Sequence, residues 1–192
     1  LLCGSRMPEA LRNFERLLAS VKEIEFKQPL ALLVATGSTP KPERLEAVLK
    51  SMGYYKLEFK LDGLSSQACW KKGSQLVCLG VGKFATWAGW AEVGITAAGT
   101  ATEQLVGLGI PAISLVGSGP QFQYPFAIRQ SRLLGGAVKP YKDLKDFRGK
   151  LIVLLENPEL RHQLGLRGIQ RMGSAGGSKA LAQMIRKMVL GC

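Results

Sequence analysis

The apolar positions of this chain fall into two spacings that take turns along it. "PEALRNFERLLASVKEI" (8–24) sets Leu11, Phe14, Leu17, Leu18 and Val21 at helical spacing. "LALLVAT" (30–36) is a continuous apolar run and reads as a buried strand. "KPERLEAVLKSMG" (41–53) is a helix, with Pro in its first turn and Gly after its end. "YYKLEFKL" (54–61) alternates like a strand, and "SQLVCLG" (74–80) is another. "FATWAGWA" (84–91) predicts a short helix and "EVGIT" (92–96) a short strand. "PAISLV" (111–116) is a strand, "FAIRQSRLLG" (126–135) a helix and "GAV" (136–138) a short strand. "LLC" (1–3) is strand-like, and two or three helices, over about 142–155, 158–172 and 178–189, complete the pattern.

Strands alternating with helices predict an α/β fold. The expectation is a Rossmann-like, doubly wound, mostly parallel sheet with helices on both faces. Such sheets bind ligands at the carboxyl ends of strands, next to helix N-termini. The 192 residues, 46% hydrophobic with 23 Gly, read as one domain over 1–192 with many tight turns. No repeat, low-complexity segment or long linker interrupts it. No apolar run reaches the ~20 residues that span a bilayer. "LLCGSR" carries neither a basic lead nor a long apolar core, so no signal peptide is expected.

The four cysteines, Cys3, Cys69, Cys78 and Cys192, have no Cys-x-x-Cys spacing. They read as reduced thiols of a cytoplasmic protein. With a single His, a Cys/His zinc site is not expected, and no metal or other cofactor is. The net charge of +12 changes the picture more, because it favours anionic partners. The basic residues are scattered without aromatic interleaving, and no nucleic-acid motif appears, so nucleic acid is not an expected partner. A plain solvated surface remains the alternative.

Two stretches look built for an anion. In "CGSRMPEAL" (3–11), Gly4 permits an unusual backbone angle, Ser5 can cap or donate, and Arg6 offers a fork of donors. In "AAGTATEQ" (97–104), small residues open a helix. There Thr100, Thr102 and the free N–H groups after Gly99 can donate to phosphate. Glu103 and Gln104 can bind sugar hydroxyls. Each stretch can equally be a tight turn with a capped helix. "GVGKF" (80–84) lacks P-loop spacing but can hold a flat base, with Gly82 and Lys83 in the turn and Phe84 packing nearby. The Gly- and Pro-rich loop leading into 126–135 carries Gln121, Gln123 and Gln130, which can read hydroxyls or simply face solvent. Trp87 and Trp90 read as core. His162 reads as surface or capping. No catalytic dyad, triad or carboxylate pair is visible.

Taken in order, "GSR-x-x-E", the Gly-x-x-Phe turn, "AGTATEQ…GLGIP" and the Pro/Gln loop before "A-x-x-Q-x-x-LLG" resemble the C-terminal half of a GT-B glycosyltransferase. The likeness is to the lipid A disaccharide synthase family and to the lipid-A-disaccharide-synthase-related proteins of cyanobacteria. It runs over nearly the whole chain, with Glu9 as the acid of the first motif. The resemblance implies a UDP-sugar donor, UDP-GlcNAc or an acylated relative, and hexosyl transfer to a lipid-linked acceptor. It implies phosphate binding by Gly4, Ser5, Arg6, Gly99, Thr100, Ala101 and Thr102, and base binding by Gly82, Lys83 and Phe84. The family's ribose-binding Glu stands seven residues before a Pro; here Gln104 has that spacing from Pro111, and Glu103 is one place earlier. The resemblance also implies that the acceptor domain and the catalytic base precede this chain, so that the chain alone does not turn over. An anionic membrane face is an implied partner, with a cytoplasmic, peripheral location at the inner membrane. Three other readings stay open: a UDP-sugar 2-epimerase, a catalytically inert interaction module, and a nucleic-acid binder.

Overall fold

The computed structural model describes residues 1–22, 24, 29–58, 66, 68–117, 119–174 and 176–190. The expectations on Cys192 and on residues 59–61 of the 54–61 strand lie outside the described residues. Helix α1 (Glu9–Lys22) leads to strand β1 (Leu30–Thr36), helix α2 (Pro42–Ser51), and strands β2 (Tyr55–Lys56), β3 (Ala68–Lys72) and β4 (Gln75–Val81). Helix α3 (Phe84–Ala88), strand β5 (Gly94–Thr96), helix α4 (Thr100–Gly107) and strand β6 (Ala112–Leu115) follow. Then come α5 (Tyr124–Leu133), β7 (Val138–Tyr141), α6 (Leu144–Glu156), α7 (Pro158–Met172) and α8 (Gly177–Leu190).

The strands form a mixed four-stranded sheet in the order β1-β4-β3-β2 and a parallel three-stranded sheet in the order β5-β6-β7. β1 and β4 run parallel, while β3 is antiparallel to both β4 and β2. The 1–3 segment is not a full strand; it forms a single parallel bridge, Leu2 to Thr96. That bridge sits at the seam of the two sheets. Leu2 N donates to Ile95 O and Ala97 N donates to Leu2 O on one side. On the other side Leu1 N donates to Leu33 O of β1 at 2.7 Å. Taking the segment as a first strand, the parallel elements run β4-β1-(1–3)-β5-β6-β7. In chain order that is third, second, first, fourth, fifth, sixth, which is compatible with a Rossmann-like fold.

Side-chain alternation assigns the helices to two faces. Leu32, Val34, Val77, Leu79, Ile113 and Leu115 pack in one buried cluster with Phe14, Leu17 and Leu18 of α1, Leu45 and Leu49 of α2, and Phe147 and Leu151 of α6. The intervening positions turn the other way: Leu33, Ala35 and Cys78 meet Trp87 of α3, and Leu2 meets Leu105 of α4. The apolar spacing of α1 therefore does what it predicts. Phe14, Leu17, Leu18 and Val21 are buried, each contributing roughly 1.5–3 kcal/mol by removal from water.

Three expectations change. Strand β3 was not visible as a separate apolar run, yet Ala-Cys-Trp followed by Lys-Lys-Gly-Ser is a hairpin signal. Gly73, at φ +56°, makes the turn that pairs Lys72 with Gln75. β2 covers only Tyr55 and Lys56 of the expected strand, both exposed. β7 starts at Val138 rather than at 136, because Gly135 and Gly136 take left-handed angles and turn the chain out of α5.

Candidate functional site

A cavity of about 570 Å³ opens where the 1–3 segment and β5 lie side by side, beyond their carboxyl ends. This size falls within the range of roughly 300–1,000 Å³ common for small-molecule sites. Its walls come from four places in the chain: Cys3–Arg6, Ala35–Gly37, Ala97–Ala101 with Gln104, and Gln121, Phe122 and Phe126. The start of α1 closes its floor with Glu9, Ala10 and Asn13.

Each wall is there for a local reason. Gly4 turns the chain out of the seam at φ +84°, with its α-carbon facing the carbonyl of Ala97. Ser5 does not cap α1, which begins at Glu9; its carbonyl accepts from Thr39 Oγ1 at 2.7 Å. Arg6 reaches across the opening and donates from Nη1 to Gln121 Oε1 at 2.7 Å. Opposite it, α4 starts at Gly99 with no side-chain cap. The residues at its N-terminal end, Gly99 to Ala101, and the positive end of its dipole thus lie on the cavity wall across from Arg6.

Buried polar groups hold this frame. Glu9 is only 5% exposed. Its Oε1 accepts from the backbone N–H groups of Gln121 and Phe122 at 3.3 and 3.4 Å, pinning the loop over the cavity. Gly119 packs so closely on that carboxylate that an added β-carbon would lie 2.3 Å from its Cδ. Asn13 Nδ2 donates to Cys3 O at 3.2 Å. Its Oδ1 has no partner among the described residues. Gln130 donates from Nε2 to Gly99 O at 3.1 Å and to Glu103 Oε1 at 3.4 Å, so it fixes the start of α4 from behind. Phe122 and Phe126 meet edge to face at 5.5 Å and form an aromatic wall. Burial pushes the Cys3 thiol up to about 11, so it stays neutral at the cavity floor.

The structure gathers Gly4, Ser5, Arg6, Gly99, Thr100, Ala101, Gln104 and Gln121 around one space. It separates the others. Thr102 is fully buried and its hydroxyl donates to Ala98 O at 2.7 Å, so it braces α4 from inside rather than facing the cavity. Gln130 is buried behind Gly99, and Glu103 is turned toward Gln130 rather than into the cavity. Gln123 is exposed, as is His162. Gly82, Lys83 and Phe84 lie beside the cavity, linked to it through Gly82 N donating to Thr36 O at 2.8 Å. Phe84 packs instead on the cluster of Leu2 and Leu105. Trp87 is core, whereas Trp90 is 53% exposed. Sequence reasoning missed Asn13, Thr36 and the Phe122–Phe126 wall. The aromatic pair was detectable in "PQFQYPF", whose two Phe bracket the start of α5.

Arg6 and Glu9 are the charged side chains on the cavity wall among the described residues. Glu9 is committed to backbone amides, so Arg6 and the α4 amides are the groups left to meet an anion. No group of three or more His, Cys, Asp or Glu able to hold a metal is found among the described residues. Compared with known proteins, the chain matches no family profile, no curated sequence and no solved structure.

Proposed function

We propose that this chain binds the UDP-sugar donor of a glycosyltransferase, as a Rossmann-like donor domain of the GT-B type. The observation that carries the reading is the convergence of Gly4–Arg6 with the uncapped start of α4 on one cavity, at the carboxyl ends of two neighbouring parallel segments. This is where an open α/β sheet reverses its winding and where such sheets take nucleotides. On this reading the pyrophosphate lies on the amides of Gly99–Ala101 and on the guanidinium of Arg6. The ribose faces Gln104, and the base enters toward Thr36 and the 82–84 turn. As the glycosyl bond breaks, charge develops on the leaving diphosphate. Fixed N–H dipoles and Arg6 stabilise it without needing to reorganise. The donor is of the GlcNAc type and the acceptor a lipid-linked sugar. Turnover needs an acceptor domain that the resemblance places before this one.

Calorimetric titration of the chain with UDP, UDP-GlcNAc, ADP and GDP tests this. Saturable binding of the uridine ligands is expected, and Arg6→Ala should weaken it about ten- to a hundredfold through a lost charge-assisted hydrogen bond. Equal affinity for ADP and GDP, or no uptake of UDP at millimolar concentration, overturns the reading.

A further inference from the structure

Helix α8 (Gly177–Leu190) stands apart from the rest of the molecule in one respect: every described side chain from Ser178 to Val189 is exposed. Its apolar residues are not scattered. Leu181, Met184, Ile185, Met188 and Val189 are 50–76% exposed, and at 100° per residue they fill one arc of about 140°. Lys179, Arg186 and Lys187 occupy the opposite arc and its flanks, and the helix carries no acidic residue.

We infer that α8 is a membrane-surface helix that lays its apolar arc into an anionic lipid interface. Charge selects this occupant. A second copy packed on the apolar arc would leave all three cations facing outward with no acidic partner, and the chain as a whole carries +12, so neither a copy of the helix nor the body of the chain offers it opposite charge. An anionic headgroup layer offers both an apolar depth for Met184, Ile185 and Met188 and opposite charge for the flanking cations. Length agrees: 14 residues of helix reach about 21 Å, short of the ~30 Å hydrocarbon core, so the helix lies along the surface. No helix among the described residues is long and apolar enough to cross a membrane. Gly173 and Gly176, both at positive φ, join α7 to α8, and an added β-carbon at either meets nothing within 4 Å, so packing does not dictate the angle at which α8 leaves. The inference rests on α8 alone and is independent of what the cavity binds.

The test is flotation of the whole chain with vesicles of phosphatidylcholine alone or mixed with phosphatidylglycerol. Binding to the anionic vesicles only is expected, weakening as salt shortens the screening length from about 10 Å at 0.1 M to about 3 Å at 1 M. Neutralising Lys179, Arg186 and Lys187 to Gln should weaken partitioning about fivefold for each cation removed. Ile185→Glu should reduce it at least about tenfold while far-UV circular dichroism stays unchanged. In Met188→Trp, the added emission should shift to the blue on anionic vesicles. Three results overturn the inference: equal binding to neutral vesicles, binding that is indifferent to the α8 substitutions and leaves the Trp emission unshifted, or no binding at all. A concentration-dependent dimer abolished by Ile185→Glu, without vesicle binding, assigns the face to a second copy instead.

Discussion

Thr100 and Thr102 look equivalent in sequence, yet two residues along a helix point some 200° apart, so only one can face a given cavity. Thr100 lines it, and Thr102 turns inward to the Ala98 carbonyl. Thr102→Val should therefore act on stability rather than on ligand. A loss of about 1 kcal/mol is expected from leaving that buried carbonyl unpaired. Urea denaturation should show it, with UDP affinity essentially unchanged; a selective loss of affinity without loss of stability sinks the assignment. Arg6→Ala should give the reverse pattern. Which residue types gather at the site was legible in the sequence. Which of them point inward depends on helix phase and on Gln130 and Glu9 reaching in from elsewhere in the chain, and spacing alone does not carry that.

At the scale of elements, the helices were legible because burial needs a periodic face, and α1, α2, α6 and α7 each begin within about two residues of their predicted starts. Two of their ends are explained by caps: Asp143 accepts from Lys145 N and Asp146 N, and Asn157 accepts from Leu160 N. The contact of α7 with α4 was not legible. Gly165 and Gly168 let the two helices close so tightly that added β-carbons would lie 2.2 Å from Gly109 O and 2.5 Å from Val106 Cγ1. Gly165→Ala should therefore destabilise by at least about 1–3 kcal/mol through overpacking against backbone, despite the better helix propensity of Ala. Thermal melting would show it. A stabilised variant would falsify the close packing. On the proposed donor site, the same change should also weaken UDP binding, because the start of α4 forms part of the cavity wall.

Across the whole molecule, buried ionisable groups set the response to alkali. Burial raises the Cys3 thiol from 9.0 to about 11 and also raises Cys78, Tyr54 and Tyr141. Each is neutral in the fold and ionises more readily when unfolded. Its contribution is thus complete below the unfolded value and is lost as pH climbs toward the folded one. Burial of the Leu1 amino group lowers it from 8.0 to about 6, so stability should rise as pH climbs toward 8, and beyond about 8.5 the raised thiols and phenols should make it decline. Cys3 alone accounts for a loss on the order of 2–3 kcal/mol between pH 9 and 11. Cys3→Ala should flatten that part of the slope in denaturation series at stepped pH. An unchanged slope shows that Cys3 is not the group responsible.

The order of apolar and polar positions by itself determined the α/β class, the approximate place of each helix and of β1, β4, β5 and β6, and the small, hydroxylated stretches at 4–6 and 99–102. These are local properties: a face must be periodic to be buried, and a turn must use residues that tolerate its angles. Only the tertiary structure decided that Leu2 joins two sheets at one seam, that β3 enters the first of them antiparallel, and that Glu9, Asn13 and Gln130 brace a cavity whose walls come from four distant places in the chain. Those facts depend on which strand lies beside which and on how closely helices approach. Hydrogen bonds and packing between distant segments, such as Arg6 and Gln121, 115 residues apart in sequence, settle them.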